Sequence, residues 1–99
     1  MGGEKTKRIK VSGKNNKHKV LMYALSTCAW CRMTKNYLKE NEVEYEYVDV
    51  VLCSDKDRAV GRKYIESRGG EPNYPIIIVD DKTIINGFRK DKIGEALGI

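Results

Sequence analysis

After Lys19 the chain runs through Val20-Leu21-Met22-Tyr23-Ala24-Leu25 without a charged position. A near-continuous apolar run of this length, from Lys19 to Leu25, predicts a central strand covered on both faces. Ser26-Thr27 makes a short turn, and Ala29 to Glu40 predicts a helix with Thr27 as its N-cap. Trp30, Met33, Tyr37 and Leu38 fall at helical spacing as its inward residues. Glu42 to Val51 alternates in part, with Val43, Tyr45 and Tyr47 on one face, then turns wholly apolar at Val50-Val51-Leu52. That predicts a strand passing from the sheet edge toward the core. Asp55 to Ser67 predicts a second amphipathic helix with Ala59, Val60, Tyr64 and Ile65 inward, stopped by Arg68-Gly69-Gly70. Ile76 to Val79 is a buried strand, Asp80-Asp81 a tight turn, and Thr83-Ile84-Ile85 its hairpin partner. Asn86-Gly87-Phe88 breaks that strand, and Arg89 to Leu97 predicts a last helix with Ile93, Ala96 and Leu97 inward.

The order is strand, helix, strand, helix, strand, strand, helix. The first two strands must pair in parallel through their crossover helix, and the last two form a hairpin. The fold class is therefore α/β, a four-stranded mixed sheet with three helices. Upstream, Arg8-Ile9-Lys10-Val11 alternates charge with aliphatic and Ser12-Gly13-Lys14-Asn15-Asn16 has turn composition. That predicts a short extra strand, hairpin-linked to the main one. Residues 1–17 read as a basic, partly disordered leader or such a strand, and residues 18–99 as the domain.

Charge sharpens this division. The chain of 99 residues carries a net +5. Residues 1–20 hold seven Lys and Arg against one Glu, while the rest holds twelve against thirteen acids. A basic leader suits nucleic acid, an acidic protein face or a membrane surface, and equally a solvated end that keeps a protein soluble. Three cysteines is an odd count, and no apolar stretch is long enough for a signal peptide or a membrane span. A secreted disulfide framework and a membrane partner are thereby disfavoured, and a reducing cytoplasm is the expected compartment.

Cys28-Ala29-Trp30-Cys31 carries the chemistry. A strand that turns into a helix opening on a cysteine leaves that sulfur facing free backbone N–H groups, where negative charge is favoured. A thiolate is the form that attacks disulfides, and the second sulfur, one turn on, can close a ring with the first. The same spacing is half of a zinc site, for which only Cys53 and His18 remain as single further ligands. Cys53 itself, at the end of an apolar run, reads as a small buried hydrophobe, with oxidation or dimerisation as its other uses.

Three signals in order, Cys28-x-x-Cys31 after the first strand, Tyr74-Pro75 before the third and Gly87-Phe88 after the fourth, resemble the glutaredoxin branch of the thioredoxin superfamily over nearly all of residues 19–97. The resemblance implies a thioredoxin-like fold of order βαβαββα and a cis Pro75 beside the dithiol. It implies that Tyr74 offers its backbone N–H and C=O to an extended substrate, and that Gly87 lets the chain bend close to the same groove. Two departures stand out. Glutathione-using members carry a lysine shortly before the dithiol, where this chain has Ala24-Leu25-Ser26-Thr27, and an acidic pair where it has Phe88-Arg89-Lys90. The Gly87-Phe88-Arg89 run is similar to that of the glutaredoxin-like redoxins that donate electrons to ribonucleotide reductase.

The expectation is a monomeric dithiol–disulfide oxidoreductase acting on protein disulfides. Cys28 and Cys31 are its catalytic residues, and Trp30, Tyr74, Pro75, Gly87 and Phe88 bind substrate. No metal or cofactor is required, and the glutathione site reads as degraded at both charged ends. An upstream disulfide reductase, thioredoxin reductase-like or ferredoxin-linked, is the implied partner. The competing classes are a glutathione-dependent glutaredoxin, an iron–sulfur cluster carrier, and a nucleic-acid-binding protein using its basic leader.

Overall fold

The computed structural model describes residues 8–25, 27–52, 54–70 and 73–99. Readings that concern residues 1–7, Ser26 and Cys53 therefore fall outside the described residues.

The central strand β2 (Val20–Ala24) is buried at every position. Its neighbours explain this: β3 (Tyr45–Asp49) pairs with it in parallel on one side and β4 (Ile76–Val79) antiparallel on the other. β5 (Thr83–Asn86) adds to β4 as a hairpin, and β1 (Ile9–Val11) adds to β3, giving the order β1-β3-β2-β4-β5. Asp80 and Asp81 turn the β4–β5 hairpin with both residues at positive φ, a geometry that short acidic side chains tolerate.

Alternation along each strand divides the core in two. Val20, Met22 and Ala24 face α1 (Ala29–Glu40) and α3 (Lys90–Leu97), together with Val43, Tyr45, Ile77, Ile85, Leu38 and Ile93. Leu21 and Tyr23 face α2 (Asp55–Ser67), with Val48, Val50, Ile65, Ile76 and Ile78. The α/β class, the element order and the extra N-terminal strand stand as expected. Leu38, fully buried in α1, anchors the first layer. Leu38→Ala should cost about 2–5 kcal/mol, read as a lower urea midpoint at unchanged slope.

Five local expectations need correction. Val50–Leu52 does not carry the strand into the core: β3 stops at Asp49 and these residues form a single 3-10 turn with Val51 exposed. β1 is not a hairpin partner of β2, because both edges of β2 are already taken; it lies antiparallel on β3 instead. The N-cap of α1 is Cys28 and not Thr27, its sulfur accepting the Cys31 N–H. The buried face of α1 is Cys31, Thr34 and Leu38, leaving Trp30 and Met33 exposed. Polar Thr34 can be buried because its hydroxyl donates to the Trp30 carbonyl at 2.8 Å. In α2 the inward residues are Gly61 and Ile65, with Tyr64 half-buried, whereas Ala59 and Val60 face solvent. Gly61 is inward because the Tyr23 ring occupies its side-chain space: a Cβ there would lie 3.1 Å from that ring.

The described part of the leader is docked. Asn15 exchanges backbone bonds with Glu42 and Glu44 at 2.8 and 2.9 Å. Gly13 passes so close to β3's approach that a Cβ would sit 2.4 Å from the Glu42 carbonyl oxygen. Arg8, Lys10 and Lys14 face Glu46, Glu44 and Glu42 across this seam. Exposed pairs of this type stabilise little, but they neutralise much of the leader's charge locally.

Candidate active site

The strand registers bring the three sequence signals to one pole. Tyr23 pairs with Ile76, so Pro75 lies beside the end of β2 and the turn into Cys28. Ile76 also pairs with Asn86, so Gly87 lies beside Pro75, and the Gly87 N–H donates to the Pro75 carbonyl at 2.8 Å. The Tyr74–Pro75 bond is cis, and Gly87 sits at φ +86°, a conformation that glycine adopts readily. Among the described residues, no hydrogen bond engages the backbone N–H or C=O of Tyr74.

The two cysteines have different surroundings. Cys28 is half-buried at the tip of α1, with its sulfur 3.2 Å from the Cys31 nitrogen that donates to it. Cys31 is 1% exposed, and its sulfur accepts the Leu25 N–H at 3.5 Å. Burial, reinforced by the hydrogen bond with Cys28, pushes the Cys31 thiol up to about 12; the Leu25 N–H and the Lys35 ammonium oppose this. One sulfur is therefore presented at the surface, and the other is kept as a protonated thiol one turn below.

Around the pair lies an aromatic strip. Trp30 is 58% exposed, and its ring centroid is 6.3 Å from that of Phe88. Phe88 in turn meets Tyr37 edge-on at 6.1 Å, and Lys90 holds its ammonium 5.5 and 5.9 Å from the Tyr37 and Phe88 rings. Trp30, Tyr74, Pro75, Gly87 and Phe88 thus all border the dithiol pole. Met33 and Tyr37, whose spacing with Trp30 reads in the sequence as a core stripe, belong to the same surface, as does Lys90, for which the sequence carries no signal. His18 is at the opposite end of β2, 2.8 Å from Asp80, so it cannot join the cysteines in a zinc site.

Comparison with known proteins agrees with this geometry. The glutaredoxin family model matches residues 20–84. The chain belongs to the glutaredoxin family. A glutaredoxin-like 8.6 kDa protein from the rubredoxin operon of Clostridium pasteurianum is 31% identical over 78 residues, 79% of this chain and 96% of that protein. Among solved structures, the methanoredoxin of Methanosarcina acetivorans is 35% identical, with a TM-score of 0.86 over 96% of this chain and 100% of that one. The glutaredoxin of Methanosarcina mazei Go1 is 34% identical, with a TM-score of 0.84 over 98% and 93%. This glutaredoxin-type redoxin accordingly has a thiol–disulfide redox function, and no helix among its described residues is long and apolar enough to cross a membrane.

Proposed function

We propose that the protein reduces disulfides in other proteins, with Cys28 as attacking thiolate and Cys31 as resolving thiol. The asymmetry of the pair supports this reading best: an accessible sulfur at a helix tip above a buried one held protonated. The Cys28 thiolate attacks one sulfur of a target disulfide, forms a mixed disulfide and expels the other sulfur as thiolate. Cys31 then gives up its proton, the expelled thiolate being a ready acceptor, and attacks the Cys28 sulfur. The Cys28–Cys31 bond forms, the second target sulfur leaves, and two electrons have passed to the target. Trp30 and Phe88 offer an apolar face to the incoming chain, and the open main chain of Tyr74 pairs with it as an added strand does. Pro75 and Gly87 shape the floor of that groove.

An upstream disulfide reductase, of the thioredoxin reductase or ferredoxin-linked type, returns the dithiol to its reduced form. Glutathione is disfavoured in that role because Arg89 and Lys90 fall at the sequence positions where glutathione-using members carry an acidic pair. Ribonucleotide reductase is one recipient consistent with the Gly87-Phe88-Arg89 run, and a monomer in the cytoplasm is the setting we assign. Pre-reduced protein mixed with insulin should cleave the interchain disulfides stoichiometrically and lose two hydrogens by mass. Intact insulin in the presence of excess reduced protein sinks the reading. Oxidised protein should be recycled by NADPH with a flavin-dependent thioredoxin reductase; full recycling by glutathione alone overturns the reductant assignment.

A further inference from the structure

Along the N-terminal segment Arg8, Lys10, Lys14, His18 and Lys19 each face a carboxylate within 4.0 Å. On the α1/α3 face at the dithiol pole carboxylates are fewer. Helix α1 has no acid before Glu40, and α3 has a single one in its first turn, Asp91, beside Arg89. Among the described residues, Arg32, Lys90 and Lys92 have no carboxylate within 4.0 Å. Both helices also begin at this pole, and their first N–H groups add partial positive charge. The acid that shares this pole is Asp49, level with Ala24 at the end of β3, which accepts the Val51 N–H; Asp55 and Asp57 ride on α2 across the sheet.

The cations at the start of α3 border an apolar surface. Trp30 and Met33 are 58% and 46% exposed, and with Tyr37 they follow one stripe of α1 against Phe88. Seven residues of helix rise span about 10 Å, enough to take side chains from roughly three residues of an extended chain. The Lys90 ammonium is fixed over the far end of that stripe.

Resting on the reading above, we infer that the substrate is a polypeptide disulfide whose cysteine is flanked by an apolar residue and by acidic ones. The apolar side chain seats on Trp30 and Phe88 while the carboxylates meet Lys90 and Arg89. Opposite charge steers the encounter and sets its orientation before sulfur meets sulfur, so the selectivity lies in the rate of the first exchange.

The test is single-turnover reduction by the pre-reduced full chain of two cyclic disulfide peptides, each with leucine beside one cysteine. One carries flanking glutamates, the other lysines; oxidised glutathione and insulin complete the set. The glutamate peptide should react about tenfold or more faster than the lysine peptide at low salt, with the ratio falling toward one at high salt. It should also outrun oxidised glutathione. Arg89→Glu with Lys90→Glu should collapse or invert the ratio; both positions are exposed, and glutamate suits a helix N-terminus, so the fold is kept. Equal rates, a faster lysine peptide, or a faster oxidised glutathione overturns the inference while insulin reduction keeps the dithiol reading. Failure to reduce any of the four disulfides takes down that reading instead.

Discussion

Cys28→Ser should lower protein-disulfide reduction to the uncatalysed background, whereas Cys31→Ser should leave a protein that reacts once and stalls. The two outcomes differ because the sulfurs occupy different places. Cys28 caps α1 and is the sulfur an incoming disulfide can reach. Serine can still cap the helix, so Cys28→Ser should fold normally and lose the nucleophile alone. Cys31 is buried behind it, and in the proposed mechanism it displaces the target from Cys28. Without it the mixed disulfide persists and is visible on a non-reducing gel as an adduct that a small dithiol dissolves. Full turnover by Cys28→Ser, or an adduct that forms through Cys31 in that variant, would falsify the order of attack.

Cys31 itself should be almost silent toward alkylating reagents at neutral pH. With its thiol pushed up to about 12 by burial, Cys31 stays protonated at pH 7. Iodoacetamide followed by peptide mapping should label Cys28 and spare Cys31 in the folded, reduced protein. Labelling of both at similar rates would contradict the burial described above. The same shift has a consequence for stability. The unfolded chain releases this proton near the ordinary value of 9.0, while the folded chain retains it to about 12. Over that window the folded state binds more protons, so stability falls as pH rises. Relative to Cys31→Ala, the reduced protein should lose about 1 kcal/mol per pH unit from pH 9 upward, the loss levelling off once the folded-state thiol also ionises. Urea unfolding of both proteins at pH 8, 9 and 10 reads this directly. Tyr45, whose phenol burial also raises, contributes equally to both and cancels.

The strand–helix order was legible because apolar runs and periodic segments are local properties of the chain. The unbroken run Val20 to Ala24 demanded cover on both faces, and β2 has it. Ser54 caps α2, with its hydroxyl accepting the Asp57 N–H, and Gly98 closes α3 in a left-handed conformation, both local devices. Helix faces were less legible. Trp30, Met33 and Tyr37 repeat as well as any core stripe does, yet Trp30 and Met33 are exposed and Tyr37 only partly packs against the core. Cys31, Thr34 and Leu38 repeat equally well, and hydrophobicity alone ranks a threonine and a cysteine below a tryptophan. The sheet can accept only one of these stripes, and the one it takes is Cys31, Thr34 and Leu38.

The chemistry of the pair and the identity of the partners in the groove were written in neighbouring residues: a dithiol at one spacing, a Tyr-Pro step, a Gly-Phe step. Their meeting at one pole was not. It depends on β4 running antiparallel to β2 and β5 antiparallel to β4, so that positions 28, 75 and 87 come to the same end of the sheet. Hydrogen-bond register between segments distant in sequence sets that convergence. The unequal protonation of the two thiols likewise comes from folding, since water is excluded from Cys31 only once the strands and α1 close over it.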